Sequence, residues 1–131
     1  MKKIIIISFI FLSMTASGAF TRRAYAVSAE DKMTLAVIFN NPFNPSRGQT
    51  TTFRFSAKDA DRMLRVRVYT AGGTLVWEFP EQYAVKDTSY YVSWNGKNQD
   101  GETVARGIYL VNLQESGNFT RGMVRKVAVV R

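Results

Sequence analysis

The sequence predicts an all-β fold: two packed antiparallel sheets with about seven strands in all. Apolar and polar residues alternate with period two in several short runs, and Gly, Asn, Asp and Pro separate those runs. No stretch keeps a 3.6-residue apolar period long enough for a helix. Short strands at this spacing suit an immunoglobulin or fibronectin III-like β-sandwich. Residues 94–113 (WNGKNQDGETVARGIYLVNL) carry the clearest pattern. Trp94 ends one strand, Asn95-Gly96 and Asp100-Gly101 supply turns, and Tyr109, Val111 and Leu113 share one face of the next strand.

Residues 34–40 (TLAVIFN) are β-branched and aromatic, and form the first strand. The run stops at Asn41-Pro42-Phe43-Asn44-Pro45. Two prolines three apart, each preceded by Asn, impose an extended and turning backbone there, and Phe43 offers an apolar plug. The segment reads as a corner that caps one end of the sandwich, with a recognition loop as the alternative. Residues 50–56 point Phe53 and Phe55 to the core. Asp59 and Asp61 sit in a charged turn, and residues 63–69 set Leu64, Val66 and Val68 against Arg65, Arg67 and Tyr69. Those two arginines are expected on a solvated face. Gly72-Gly73 turns the chain into residues 75–79, which Pro80 stops, and residues 81–88 read as irregular. Residues 89–94 place Tyr90, Val92 and Trp94 on one side. Gly117-Asn118 then leads into a last strand, residues 122–130, apolar on both faces near its end and so either covered or open to a partner.

The N-terminus has the form of a secretory signal peptide, residues 1–26. Lys2 and Lys3 precede an apolar run, residues 4–12, too short to span a bilayer comfortably. Cleavage is expected after Ala26 (Ala24-Tyr25-Ala26), with Ala19 as the competing site and an uncleaved anchor as the alternative. A short polar leader, residues 27–33, would then precede one domain, residues 34–131, with no membrane span in the mature chain and a secreted, periplasmic or cell-surface location.

The whole chain carries 18 basic and 10 acidic residues, a net charge of +8. Losing Lys2, Lys3, Arg22 and Arg23 with the signal leaves 14 basic against 10 acidic residues, a net of +4, with no nucleic-acid footprint. There is no Cys, hence no disulfide and no lipidated Cys anchor, and no His, the usual metal ligand and near-neutral base. No catalytic residue, metal or cofactor is therefore assigned. Asn95, Asn98 and Asp100, with Gly96 and Gly101, space oxygen ligands as calcium loops do but supply one carboxylate, so Asx turns explain them better. Trp94 and Tyr109 are read as core rather than as a sugar-stacking pair. Tyr69, Trp77 and Tyr91 are expected to be exposed.

The order of motifs from Phe39 to Arg131 is familiar. It runs Asn41-Pro42-Phe43-Asn44-Pro45, Thr52-Phe53-Arg54-Phe55, Val66-Arg67-Val68-Tyr69 with Gly72-Gly73 and Leu75-Val76, Trp94-Asn95-Gly96, Gly101, Val104-Ala105, Gly107-Ile108-Tyr109 and Arg125-Lys126-Val127-Ala128-Val129. It resembles the FlgD-type Ig-like domain of flagellar hook-capping proteins and, more closely, the type A C-terminal sorting domain of the type IX secretion system. The resemblance implies a β-sandwich, export by a signal peptide, recognition by a secretion apparatus at the outer membrane, and no enzyme activity. The chain departs from that family at Asn95, where Asp is usual, and at Arg106, where Ser is common. In that family the module trails a large cargo, whereas here it follows the signal segment.

The expected partner is a protein of the cell envelope, a secretion apparatus or a filament subunit. The candidate recognition residues are Asn41, Pro42, Phe43, Asn44 and Pro45 in one loop, Asn95, Asn98 and Asp100 in another, and Arg125 and Lys126 on the final strand, whose edge is expected to pair with the partner. A structural subunit or cap of a surface filament, and a carbohydrate-binding module using Tyr69 or Trp77, are the alternatives.

Overall fold

The computed structural model describes residues 32–117 and 122–131. The signal segment with its two cleavage sites, the leader as far as residue 31, Asn118 and Arg121 lie outside the described residues. The described chain is an all-β sandwich of eight strands: β1 (Met33–Phe39), β2 (Thr51–Ala57), β3 (Arg62–Thr70), β4 (Leu75–Glu78), β5 (Gln82–Ala84), β6 (Tyr90–Trp94), β7 (Gly107–Glu115) and β8 (Met123–Val129). One sheet has the order β1-β2-β6. The other runs β4-β3-β7-β8, with β5 pairing β3 next to β4. All these pairings are antiparallel.

Alternation fixes which face of each strand is inside. On β2, Thr51, Phe53, Phe55 and Ala57 are buried, and on β3 Leu64, Val66 and Val68. Tyr109, Val111 and Leu113 of β7 and Met123, Val127 and Val129 of β8 line the same inner face as the β3 residues, opposite β2. Each fully buried Val, Leu or Phe side chain contributes about 1.5–3 kcal/mol by leaving water. The one buried polar side chain among the described residues, Thr51, donates its hydroxyl to the Phe39 carbonyl at 2.9 Å, so its burial leaves no unmet donor.

Four expectations need correction. The leader ends sooner, because Met33 is already buried in β1. Residues 81–88 are not wholly irregular: Gln82–Ala84 forms β5, a three-residue strand too short to show alternation, held by register with Arg62 to Leu64 and by burial of Ala84. Arg65 and Arg67 do not stand on a solvated face. Both are half-buried, Arg65 paired to Glu78 (3.2 Å) and Glu81, and Arg67 to Glu78 (3.0 Å). Trp77 is not a free aromatic, since it is half-buried against the core with its ring 6.3 Å from that of Phe79. Tyr69 is half-buried as well, whereas Tyr91 is exposed as expected.

Candidate recognition surface

The Asn41–Pro45 segment crosses from one sheet to the other. β1 belongs to the three-stranded sheet, and beyond it Asn40 takes a left-handed φ of 50° and the Asn41–Pro42 peptide is cis. Phe43 then runs parallel to β8. Its N–H donates to the Ala128 carbonyl (3.1 Å), and its carbonyl accepts from the Val130 N–H (2.9 Å). The Asn41 side chain continues this ladder where Pro42 has no N–H to offer. It donates through Nδ2 to the Lys126 carbonyl (3.2 Å) and accepts through Oδ1 from the Ala128 N–H (2.9 Å). The C-terminal half of β8 is thus covered, which corrects the expectation of an open final edge.

Phe43 is completely buried. Its ring meets Trp94 edge-on at 5.6 Å, and Trp94 in turn meets Tyr109 at 5.6 Å. Both polar handles of this stack are satisfied, Trp94 Nε1 by the Lys97 carbonyl (2.9 Å) and the Tyr109 hydroxyl by the Ala105 carbonyl (2.7 Å). Asn44 caps the 3-10 turn Pro45–Arg47, its Oδ1 accepting from the Ser46 N–H at 2.9 Å, and Gly48 closes it at φ 75°.

The second loop is held by its own side chains. Asn95 Oδ1 accepts from the Lys97 N–H (3.1 Å), a bond that the Asp usual at this place would also accept. Asn98 Oδ1 accepts from the N–H groups of Asp100 and Glu102, both at 3.0 Å. These are the Asx turns the sequence suggested. Among the described residues no group of three His, Cys, Asp or Glu side chains converges as metal ligands.

The two loops meet at Gly96. A Cβ there would stand 2.7 Å from Pro45 Cβ and 3.3 Å from Phe43 Cε2. Five of the predicted residues, Asn41 to Pro45, therefore share one end of the sandwich with Asn95 and with the C-terminal part of β8. Asn98 and Asp100 lie farther out on the second loop, whose Gln99 N–H donates to the Val76 carbonyl of β4 (3.1 Å). Arg125 is half-buried on β8, its Nη1 donating to the Val124 carbonyl at 2.9 Å. Phe43 is unavailable to a partner, while Asn41, Pro42, Asn95, Asp100 and Lys126 are exposed.

The cations of β3 are paired. Arg62, Arg65 and Arg67 are compensated by Asp59, Glu78, Glu81 and Glu115. At the loop end Arg47, Lys97, Arg106, Lys126 and Arg131 are all exposed, and among the described residues none is in an ion pair. Arg131 reaches back through Nη1 to the Val104 carbonyl (2.9 Å), and Val104 donates its N–H to the Gly96 carbonyl (2.9 Å), which ties the chain end to the two loops. Asp100 and Glu102 are the acids nearby, on the second loop. Arg47 and Arg106 are residues that sequence reasoning passed over, because nothing in a linear reading distinguishes a compensated arginine from a free one.

No family model and no curated protein matches the chain. Solved structures do. Dimeric latent PorU from Porphyromonas gingivalis is similar with a TM-score of 0.55 and 22% identity, over 75% of this chain and 9% of that one. The likeness is one of fold. PorZ, described as an essential bacterial surface component of the type-IX secretion system of P. gingivalis, gives a TM-score of 0.48 at 21% identity over 82% of this chain and 13% of its own. FlgD from P. aeruginosa gives 0.45 at 21% identity, over 79% of this chain and 74% of its own. The chain spans about a tenth of the length of the two P. gingivalis proteins.

Proposed function

We propose that this chain is a secreted, non-catalytic protein-interaction module of the cell envelope, engaged by a secretion apparatus through the end that carries the two motif loops and the C-terminal part of β8. One observation carries the reading: five exposed cations that are in no ion pair among the described residues share the end where the Asn41–Pro45 and Asn95–Gly101 loops lock together, while the arginines of β3 are neutralised within the fold. A rigid, net-basic end surface selects an acidic protein surface and speeds its encounter. The order of motifs, which resembles that of sorting domains, supplies the class of partner.

Contact on this reading is made by loops and charges rather than by strand addition along the whole of β8, because Asn41 and Phe43 already occupy the C-terminal half of that edge. The test is a reporter fused to the chain and expressed in a host with a type IX apparatus. Surface delivery is expected for the wild-type fusion, with a several-fold loss when Arg47, Lys126 and Arg131 are changed together to Ser. A fusion delivered equally well with and without those charges overturns the proposal.

A further inference from the structure

We propose that the outer face of the three-stranded sheet binds an acidic sugar chain, a uronate oligosaccharide, on Arg54 and between Phe39 and Tyr91. None of the five loop-end cations belongs to β1, β2 or β6, so this site does not rest on the role of that end.

Register places the residues. Thr51, Phe53, Phe55 and Ala57 of β2 face the core, so Thr52, Arg54 and Ser56 point outward. Phe39 of β1 and Ser93 of β6 stand opposite Thr52, and Tyr91 of β6 stands opposite Arg54. Arg54 is thus the middle residue of the middle strand, with an aromatic on each edge strand, Tyr91 beside it and Phe39 one row on. Phe39 and Tyr91 are 59% and 58% exposed, whereas Tyr69 and Trp77 are half-buried. With strands about 4.8 Å apart and rows about 6.8 Å apart, the two aromatics are anchored about 12 Å from each other, a span that a short oligosaccharide covers.

The chemistry of the face selects the ligand. Arg54 is exposed and among the described residues is in no ion pair, whereas Arg67, outward on an inner strand of the other sheet, is paired to Glu78. No acid stands on the paired outward rows of this face. A guanidinium left open in this way donates bidentately to a carboxylate. Thr52 and Ser56 flank Arg54 on β2, and each shares a hydrogen bond with a hydroxyl of an edge strand, Thr52 with Ser93 (3.0 Å) and Ser56 with Thr34 (2.6 Å). Each pair spends one of its two hydrogens, which leaves an O–H and free lone pairs for sugar hydroxyls. The aromatic side chains supply apolar surface for the C–H face of a pyranose.

Other occupants fit less well. The face measures about 14 by 20 Å, on the order of 300 Å², against roughly 800 Å² that a specific protein partner covers, and its centre is polar. A second copy packed face to face about a twofold axis would set Arg54 near its own counterpart. A nucleic acid carries a charge at every nucleotide and is tracked by a groove of cations, of which this face has one.

Titration of the isotope-labelled secreted chain with trigalacturonate and with trimannuronate, followed by amide chemical shifts, reads the binding. Saturable shifts are expected with at least one of them, centred on Phe39, Arg54, Tyr91 and their neighbours on β1, β2 and β6. The same sugar with its carboxylates reduced to alcohols should bind at least about tenfold more weakly. Arg54→Gln should reproduce that loss, and Arg54→Lys, which keeps the charge without the fork, should fall between. Tyr91→Ala and Phe39→Ala should each weaken binding several-fold, while changing Arg47, Lys126 and Arg131 together to Ser should leave it unaltered. The absence of a saturable shift with either sugar overturns the proposal. So does equal binding of the carboxyl-reduced sugar, of oligoglutamate or of oligothymidylate, or a loss in the loop-end variant that Arg54→Gln does not show.

Discussion

Gly96 lies against the ring of Pro45, and this contact joins the two loops. A Cβ on Gly96 would approach Pro45 Cβ to 2.7 Å and Cγ to 2.9 Å, at a left-handed φ of 77°. Gly96→Ala therefore meets both a steric and a conformational penalty, and is expected to cost about 2–4 kcal/mol. Gly101 has the same backbone requirement (φ 81°) but open space around it, so Gly101→Ala should cost only about 1–2 kcal/mol. Urea unfolding of the two variants measures the difference. Equal losses would mean that the loops are not braced against each other.

Asn41 acts as a substitute for a strand residue. Its amide makes two hydrogen bonds to β8, each of net value about 0.5–1.5 kcal/mol, so Asn41→Ala should destabilise the domain by about 1–3 kcal/mol. The effect is local in a readable way. The Ala128 N–H loses its acceptor and should exchange with deuterium faster, while the Val127 N–H, on the opposite side of the strand, keeps its pairing to β7. Unchanged exchange at Ala128 would contradict the assigned bond.

The core was legible because alternation is a local signal. Phe53, Phe55, Trp94, Tyr109, Val111 and Leu113 could each be assigned to a face by counting, and all are buried. The plug at Phe43 was legible for a similar reason, an apolar ring between two prolines. What stayed hidden depends on pairing across long sequence distances. The Asn41 bonds to β8 span 85 and 87 positions, and the compensation of Arg65 and Arg67 by Glu78 and Glu81 depends on how β3 meets β4 and the turn after it. In the sequence the candidate site is three separate pieces. That the Asn41–Pro45 and Asn95–Gly101 loops touch through Gly96 follows from packing that neither loop encodes alone.

Stability should depend on pH at both ends of the scale. Burial raises the Tyr109 hydroxyl above its ordinary value of 10, so the unfolded chain gives up this proton first. The contribution is complete below pH 10 and is lost as pH rises through the folded-state value. Tyr109→Phe should flatten that alkaline loss while lowering stability at neutral pH by about 1 kcal/mol, through loss of the bond to Ala105. At the acid end, the hydrogen bond from Arg62 holds Asp59 below 3.8, and bonds from Ser116 and then Arg65 hold Glu81 below 4.5. Their contribution is present above those values and is lost as pH falls through the lowered ones. Arg62→Gln should therefore remove part of the acid dependence. Melting temperatures from pH 3 to 11 test both limbs.

The final strand must be probed by surface charge and not by deletion. Val127 and Val129 of β8 are 0% and 2% exposed, and β8 is paired along its length to β7. Removing residues 124–131 opens the core beneath Val111 and Tyr109, and each buried apolar side chain lost costs about 2–5 kcal/mol, enough together to exceed the stability of a domain this size. The truncated chain should lack the near-ultraviolet signal of the Phe43–Trp94–Tyr109 stack, and any loss of delivery would then report unfolding. Lys126→Ser is expected to leave the fold intact, because among the described residues only the backbone of Lys126 is engaged, its carbonyl accepting from Asn41 and its peptide placed opposite Leu110. Its melting temperature should stay within about 2 °C of wild type, corresponding to less than about 0.5 kcal/mol. A drop well beyond that would show that the Lys126 side chain bears on the fold, and would remove it from the recognition surface.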